Sequence, residues 1–270
     1  MAQSNLLQLP PRFEIRKIEA KDLSWVRAIF AHSNMLCSPL WSVALPRETQ
    51  TERVYKFYHT MENLMSLVAL DGNSYGVWDT QYQFKRPESA STGGKLYWDE
   101  NKLDATSEQL LEQMDFPLIS VAVAYDGINK PDMSLYGPII KLIPLFGHLH
   151  GAMEKGDIRE PEAQKPKTAG EMLFRAGTAT KADYSGLGIA KGLAHWLMRE
   201  VAGKGFQGMQ IGIAHAALEK VFMNPPAPFT AKIVSVVDLA EFEVEENGVK
   251  TKPCAACGDV PFKKIYISFG

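Results

Sequence analysis

The sequence has too few cysteines for a disulfide framework, no long apolar run and almost no net charge, and each absence removes a class of protein. Cys37, Cys254 and Cys257 make three cysteines in 270 residues. An odd set cannot close on itself and suits a reducing compartment, so a cytoplasmic protein is expected. Apolar stretches such as residues 118–124 are too short to cross a bilayer, and residues 1–12 lack a basic stretch followed by an apolar one. Neither a membrane span nor a secretion signal is expected. The 29 Lys and Arg against 31 Asp and Glu leave a formal charge of −2, which gives no electrostatic footprint for nucleic acid.

What is present reads as a globular core. Hydrophobic residues make up 46% and charged residues 22%, and the length fits one enlarged domain spanning 1–270. Phe13, Ile15 and Lys17 alternate with Glu14 and Arg16, a strand pattern, and a helical pattern follows through Leu23, Val26, Ile29 and Phe30. A weaker helical pattern covers 47–65. Residues 64–70 and 75–84 read as two strands of a hairpin around Asp71-Gly72-Asn73-Ser74. Residues 85–167 read as an insertion that opens on a loop and closes on a charged, proline-containing stretch. Within it, 106–114 is helical, 118–124 fits a strand or a buried helical turn, and 135–153 is apolar with internal prolines and fits either. The pattern then sharpens: a strand at 172–180, the turn Gly186-Leu187-Gly188, and a helix carrying Ile189, Leu193, Leu197 and Val201. A strand at 207–214, a short helix ended by Asn224-Pro225-Pro226, and two strands at 231–238 and 263–269 complete the chain.

The stretch that carries chemistry runs from Ala179 to Leu193, where a strand enters a glycine turn that opens an amphipathic helix. Glycines let backbone approach a ligand, and the free amides at a helix start suit a pyrophosphate; the bland alternative is a tight packing turn. A dinucleotide fold would place a longer glycine motif early and an acid on the next strand, and 207–214 has no acid. A Walker loop needs Gly-Lys-Ser/Thr, whereas Ile189-Ala190 follow Gly188.

Ser185-Gly186-Leu187-Gly188-Ile189-Ala190 resembles motif A of the GNAT superfamily of N-acetyltransferases, Arg/Gln-x-x-Gly-x-Gly/Ala, matching at Gly188 and Ala190 and departing at Ser185. The element order over about 180 residues is similar to that family's. The resemblance implies an α/β (α+β) fold: a mixed, mostly antiparallel sheet flanked by helices, with a core of 1–84 and 168–270 and a large insertion, 85–167, between the family's third and fourth strands. It implies an acyl-CoA-dependent N-acyltransferase, with acetyl-CoA as cosubstrate, no metal, and a small-molecule amine attacking directly in a ternary complex. A homodimer is compatible with it. The residues implied at the cosubstrate are Phe174, Ala176, Thr178, Ala179 and Thr180 on the strand, then Ser185, Gly186, Leu187, Gly188, Ile189, Ala190 and Lys191 in the turn and helix start. Ser185 removes a side chain that usually grips phosphate. Lys181 or Lys191 could replace its charge, although each reads first as a solvated surface lysine.

Acyl transfer to an amine requires a proton to leave nitrogen and negative charge on the thiolate to be stabilised. Glu171-Met172-Leu173-Phe174 resembles the start of the strand whose glutamate is the base in histone-type relatives, with a register to the glycine turn one residue longer, and Glu171 also reads as an exposed strand-end carboxylate. The family's acid is commonly a tyrosine on the helix after the next strand, where this chain has Phe222. Tyr184 or His215 is then expected to act instead, or water and the helix dipole suffice; His215 also reads as a helix cap. A GNAT-fold protein without acyl transfer is the alternative that Ser185 and Phe222 favour. Cys254 and Cys257 have zinc-knuckle spacing without a second pair, and read as loop thiols or a redox pair rather than a metal site. Trp41 and Trp78 are candidate walls of an acceptor pocket.

Overall fold

The computed structural model describes residues 9–270; the expectation made for the N-terminus lies, up to residue 8, outside them. Seven strands form one sheet: β1 (Phe13–Lys17), β2 (Tyr75–Asp79), β3 (Leu118–Asp126), β4 (Met172–Thr180), β5 (Gly208–Ile213), β6 (Thr230–Val237) and β7 (Phe262–Ser268). Their order is β1-β2-β3-β4-β5-β7-β6. Every neighbouring pair is antiparallel except β4 and β5. This is the mixed, mostly antiparallel sheet that the resemblance implied.

The chain covers both faces, which is why β3 is apolar along nearly its whole length and buried at all nine positions. On one face lies α6 (Ile189–Gly203), whose Leu193, Leu197 and Val201 recur every fourth residue and pack with Val77, Ala122, Leu173 and Met209. The other face is covered by α1 (Leu23–His32), α2 (Gln50–Thr60), α3 (Glu62–Val68), α4 (Gly137–Leu142) and α5 (Pro144–Lys155). A short helix, α7 (Ala216–Phe222), follows β5.

Two readings of the sequence are corrected. Residues 64–70 belong to no hairpin: Leu64, Met65 and Val68 are the buried side of α3, and 71–74 join that helix to β2. A short apolar run fits a strand or a buried helix equally, and a spacing of i, i+1, i+4 belongs to the helix. The true neighbours of β2 are β1 and β3. Consequently the stretch 85–167 contains a central strand, and the residues additional to the sheet divide into 80–117 and 127–171. The prolines of 135–153 also find their reason, since Pro138 and Pro144 sit in the first turns of α4 and α5, where a missing N–H costs nothing.

Candidate active site

The site begins with a break in sheet pairing. β4 pairs with β5 only from Met172 to Arg175, opposite Gly208 to Ile211. Beyond that the two strands separate, leaving the β4 edge from Ala176 to Thr180 open on that side. On the other edge, Val123 faces Gly177 and Ala124 faces Arg175, so Ala176 is an extra residue, a bulge. The bulge leaves Ala176 exposed in the middle of a central strand. It also brings Arg175 and Thr178 to the same face although they are three residues apart, and the Arg175 Nη2 donates to Thr178 Oγ1 at 2.6 Å.

At the far end of β4 the glycine turn forms a cradle. Gly186 and Gly188 have φ of 79° and 74°, the left-handed region that favours glycine. A Cβ at either would meet no atom within 4 Å, so the turn fronts open space. No side chain caps α6, and its first internal bond at the N-terminus is the Gly192 amide to the Gly188 carbonyl. The amides of Ile189, Ala190 and Lys191 therefore have no acceptor within the helix.

Cradle and splay open into one cavity of about 1080 Å³. On the α1 side of the sheet its wall is apolar and aromatic: Phe30, Trp41, Tyr125, Tyr136, Phe146 and Phe174 line it. The wall includes Ser33, Asn34 and Cys37 from a π-helical turn, Ser33–Cys37, that widens the end of α1. His150 of α5 also faces the cavity, with Phe146 and Phe262 against its ring. Burial, with a smaller contribution from Lys264, outweighs Glu154 and lowers its pKa to about 4, so the imidazole is neutral at neutral pH. Glu154 is the only carboxylate among the described residues lining the cavity, and Lys264 holds it at 2.8 Å. Lys130, Lys165, Arg175, Lys191 and Lys264 line it as well, which makes the cavity net positive.

The residues implied at the cosubstrate line this cavity, from Phe174, Ala176, Thr178, Ala179 and Thr180 to Ser185, Gly186, Gly188, Ile189, Ala190 and Lys191; Leu187 is exposed beside them. Thr180 Oγ1 is held by Ser120 Oγ at 2.7 Å. His215 lies at the rim, where its Nδ1 accepts the Ala217 amide proton at 3.1 Å. That bond makes His215 the N-cap of α7. Tyr184 reaches the cavity, but its hydroxyl donates to Asp79 Oδ2 at 2.7 Å. Burial and that bond hold its pKa well above the ordinary phenol value. Asp79 also accepts from the Arg12 Nε at 2.7 Å, and these bonds outweigh its burial and keep it ionised. The trio fastens the turn before the cradle to the end of β2.

Glu171 is not brought to the site. Its carboxylate turns back to accept the amides of Lys167 and Thr168, at 2.6 and 3.1 Å, and it does not line the cavity. Phe222 is fully buried. Lys181, expected at the surface, is 1% exposed. Its Nζ donates to the Met114 carbonyl at 2.9 Å and lies over the rings of Phe116 and Tyr82. Burial lowers its pKa to about 8, and it is absent from the cavity lining. Trp41 lines the cavity and Trp78 does not. Cys254 and Cys257 are both buried, and burial raises the Cys254 thiol to about 12. Among the described residues no three His, Cys, Asp or Glu are grouped to hold a metal ion. Arg175, Tyr125 and Tyr136 went unnoticed in the sequence, because nothing local marks a strand or insertion residue as facing a cavity.

No protein-family model and no curated protein matches this sequence. Solved structures do match. The C-terminal condensation domain of Ebony, in complex with beta-alanyl-dopamine, is 12% identical with a TM-score of 0.60, over 95% of this chain and 98% of that one. Arylalkylamine N-acetyltransferase 2 from Aedes aegypti is 12% identical with a TM-score of 0.56, over 96% and 99%. The Drosophila melanogaster polyamine N-acetyltransferase is 9% identical with a TM-score of 0.55, over 94% and 98%. The chain has the GNAT fold. No helix among the described residues is long and apolar enough to cross a membrane.

Proposed function

We propose that this chain is a GNAT-type N-acyltransferase that moves an acyl group, acetyl in the simplest case, from acyl-CoA to a small amine by direct attack in a ternary complex. The observation that carries this reading is the continuity of one cavity from the glycine cradle, along the open edge of β4, to an aromatic chamber on the other face of the sheet. The cradle's amides suit the pyrophosphate. The pantetheine arm fits the splay, where the unpaired edge of β4 offers it strand-like hydrogen bonds. The amides of the same edge polarise the acyl carbonyl as negative charge develops on its oxygen. The likeness to N-acetyltransferase structures supports the same reading at the level of the fold.

The chamber also states a preference among amines. A polyamine buried there would carry several positive charges into a space with one carboxylate, already paired with Lys264, and an unpaired buried charge is costly. A monoamine with an aromatic or apolar body instead packs on Trp41, Tyr125, Phe146 and Phe174. With Glu171 outside the cavity, the amine enters as the free base and gives its proton to water. The positive surroundings favour that neutral form.

Calorimetric titration with acetyl-CoA, followed by thiol release with an amine panel, tests the assignment. Binding is expected, with arylalkyl monoamines exceeding agmatine and spermidine by about 100-fold in kcat/KM. An equal or reversed ranking removes the acceptor class, and absence of acetyl-CoA binding removes the enzyme. The kcat/KM for a given monoamine is expected to rise with pH in step with its free-base fraction. A profile that is flat below the amine's own pKa would require a protein base. A second reading, a GNAT fold that binds CoA without chemistry, is favoured by Phe222 and Ser185, and binding without turnover across the panel would establish it.

A further inference from the structure

Arg175 carries a charge that the fold alone does not use. Its side chain is buried, with the residue 7% exposed, yet no carboxylate pairs with it among the described residues. The guanidinium donates to Thr178 Oγ1 at 2.6 Å and makes long contacts to the Gly177 carbonyl, 3.5 Å, and Met209 Sδ, 4.0 Å; its Nε has no partner. A guanidinium has five N–H donors, and burying such a charge without an anion is expensive. Burial without compensation lowers its pKa to about 9, which leaves it charged at neutral pH.

Its position says which anion it awaits. Arg175 is the last β4 residue paired with β5, and it lines the cavity where the strands part. The cradle lies beyond the other end of the strand. Arg175 to Thr180 alone spans roughly 16 Å at about 3.3 Å per residue, so Arg175 serves the thioester end of a bound cosubstrate rather than its phosphates. The carbonyl oxygen has the neutral amides of the β4 edge. The sulfur has nothing comparable: Phe222, where a proton-donating tyrosine would be expected, presents a phenyl ring 5.7 Å from the Arg175 Cζ.

Building on the acyltransferase reading, we propose that Arg175 is a catalytic residue whose guanidinium receives the leaving thiolate of CoA. The amine nitrogen bonds to the acyl carbon, the carbon–sulfur bond breaks, and its electron pair remains on sulfur. The proton shed by nitrogen goes to water. The thiolate departs paired with the guanidinium, so no acid is needed where Phe222 stands. The bulge at Ala176 is what makes this possible, since it lets Thr178 brace Arg175 on one face of the strand.

The test uses CoA itself. Calorimetry with CoA comes first, and failure to bind removes the acyltransferase reading and this inference together. With CoA bound to the wild-type chain, the ultraviolet absorbance of the thiolate reports the thiol's pKa, expected about one pH unit or more below that of free CoA. An unshifted or raised value overturns the role of Arg175 and leaves the acyltransferase reading standing. Arg175→Met is expected to lower kcat about 100-fold while changing the Kd for acetyl-CoA less than about threefold, and Arg175→Lys to recover part of kcat. Loss confined to Kd, or a bound thiol that titrates alike in Arg175→Met and wild type, likewise overturns it.

Discussion

Replacing Gly188 by valine is expected to weaken acetyl-CoA binding by about 100-fold or more while the chain still folds. Two effects must be separated. The first is strain: at φ 74° a β-branched residue sits in the left-handed region, at a cost of about 1–2 kcal/mol or somewhat more. The second is occlusion, because the space before Gly188 is open and an isopropyl group would stand in front of the Ile189, Ala190 and Lys191 amides. Gly205 supplies the control. It has φ 95° and equally open surroundings, but lies just past the other end of α6 and away from the cavity. Gly205→Val should therefore match Gly188→Val in thermal stability and retain wild-type affinity. Calorimetric titration of the pair decides: equal affinities would show that the turn is a packing device and not a cradle.

That turn was the most legible part of the site, because strand, glycines and amphipathic helix are consecutive and each is set by local chemistry. The rest depends on pairing between distant strands. Regular alternation along 172–180 would put Phe174, Ala176 and Thr178 on one face. The bulge, whose one local sign is Gly177 within the strand, sends Phe174 toward Tyr125 and Thr178 to the side of Arg175. Glu171 reads as a base from its place at the head of the strand; its carboxylate instead satisfies loop amides of Lys167 and Thr168. Lys181 shows the same limit, since a lysine beside a glycine turn looks solvated until Phe116 and Met114 arrive from a remote segment to enclose it. Order and type of most elements follow from local periodicity, but residues 64–70 do not, because a run of that length fits either period.

The chamber opposite the cradle depends on α5, and α5 depends on one carboxylate. Asp157 follows that helix, with its side chain fully buried. It accepts from the Arg159 amide at 3.1 Å, from the Arg159 Nε and Nη2 at 2.9 and 2.6 Å, and from the Lys264 Nζ of β7 at 3.1 Å. Arg159 in turn donates to Gln210 of β5 at 2.9 Å. Asp157→Ala leaves Arg159 without a carboxylate and Lys264, 2% exposed, with Glu154 alone, and is expected to cost about 3 kcal/mol in denaturant unfolding. Burial of the carboxylate opposes its ionisation, but the bonds from Arg159 and Lys264 prevail and lower its pKa from 3.8 to about 2. A depressed carboxylate contributes stability that is full above the unfolded value and is lost as pH falls through the folded one. The shift corresponds to about 2 kcal/mol. The stability difference between wild type and Asp157→Asn should accordingly be constant at neutral pH and shrink as pH falls from about 4 toward 2. A difference that persists undiminished at the acid end, or an Asp157→Ala cost below about 1 kcal/mol, would mean that α5 is held to the sheet by its apolar contacts through Leu149 and Met153 and by the Glu154–Lys264 pair.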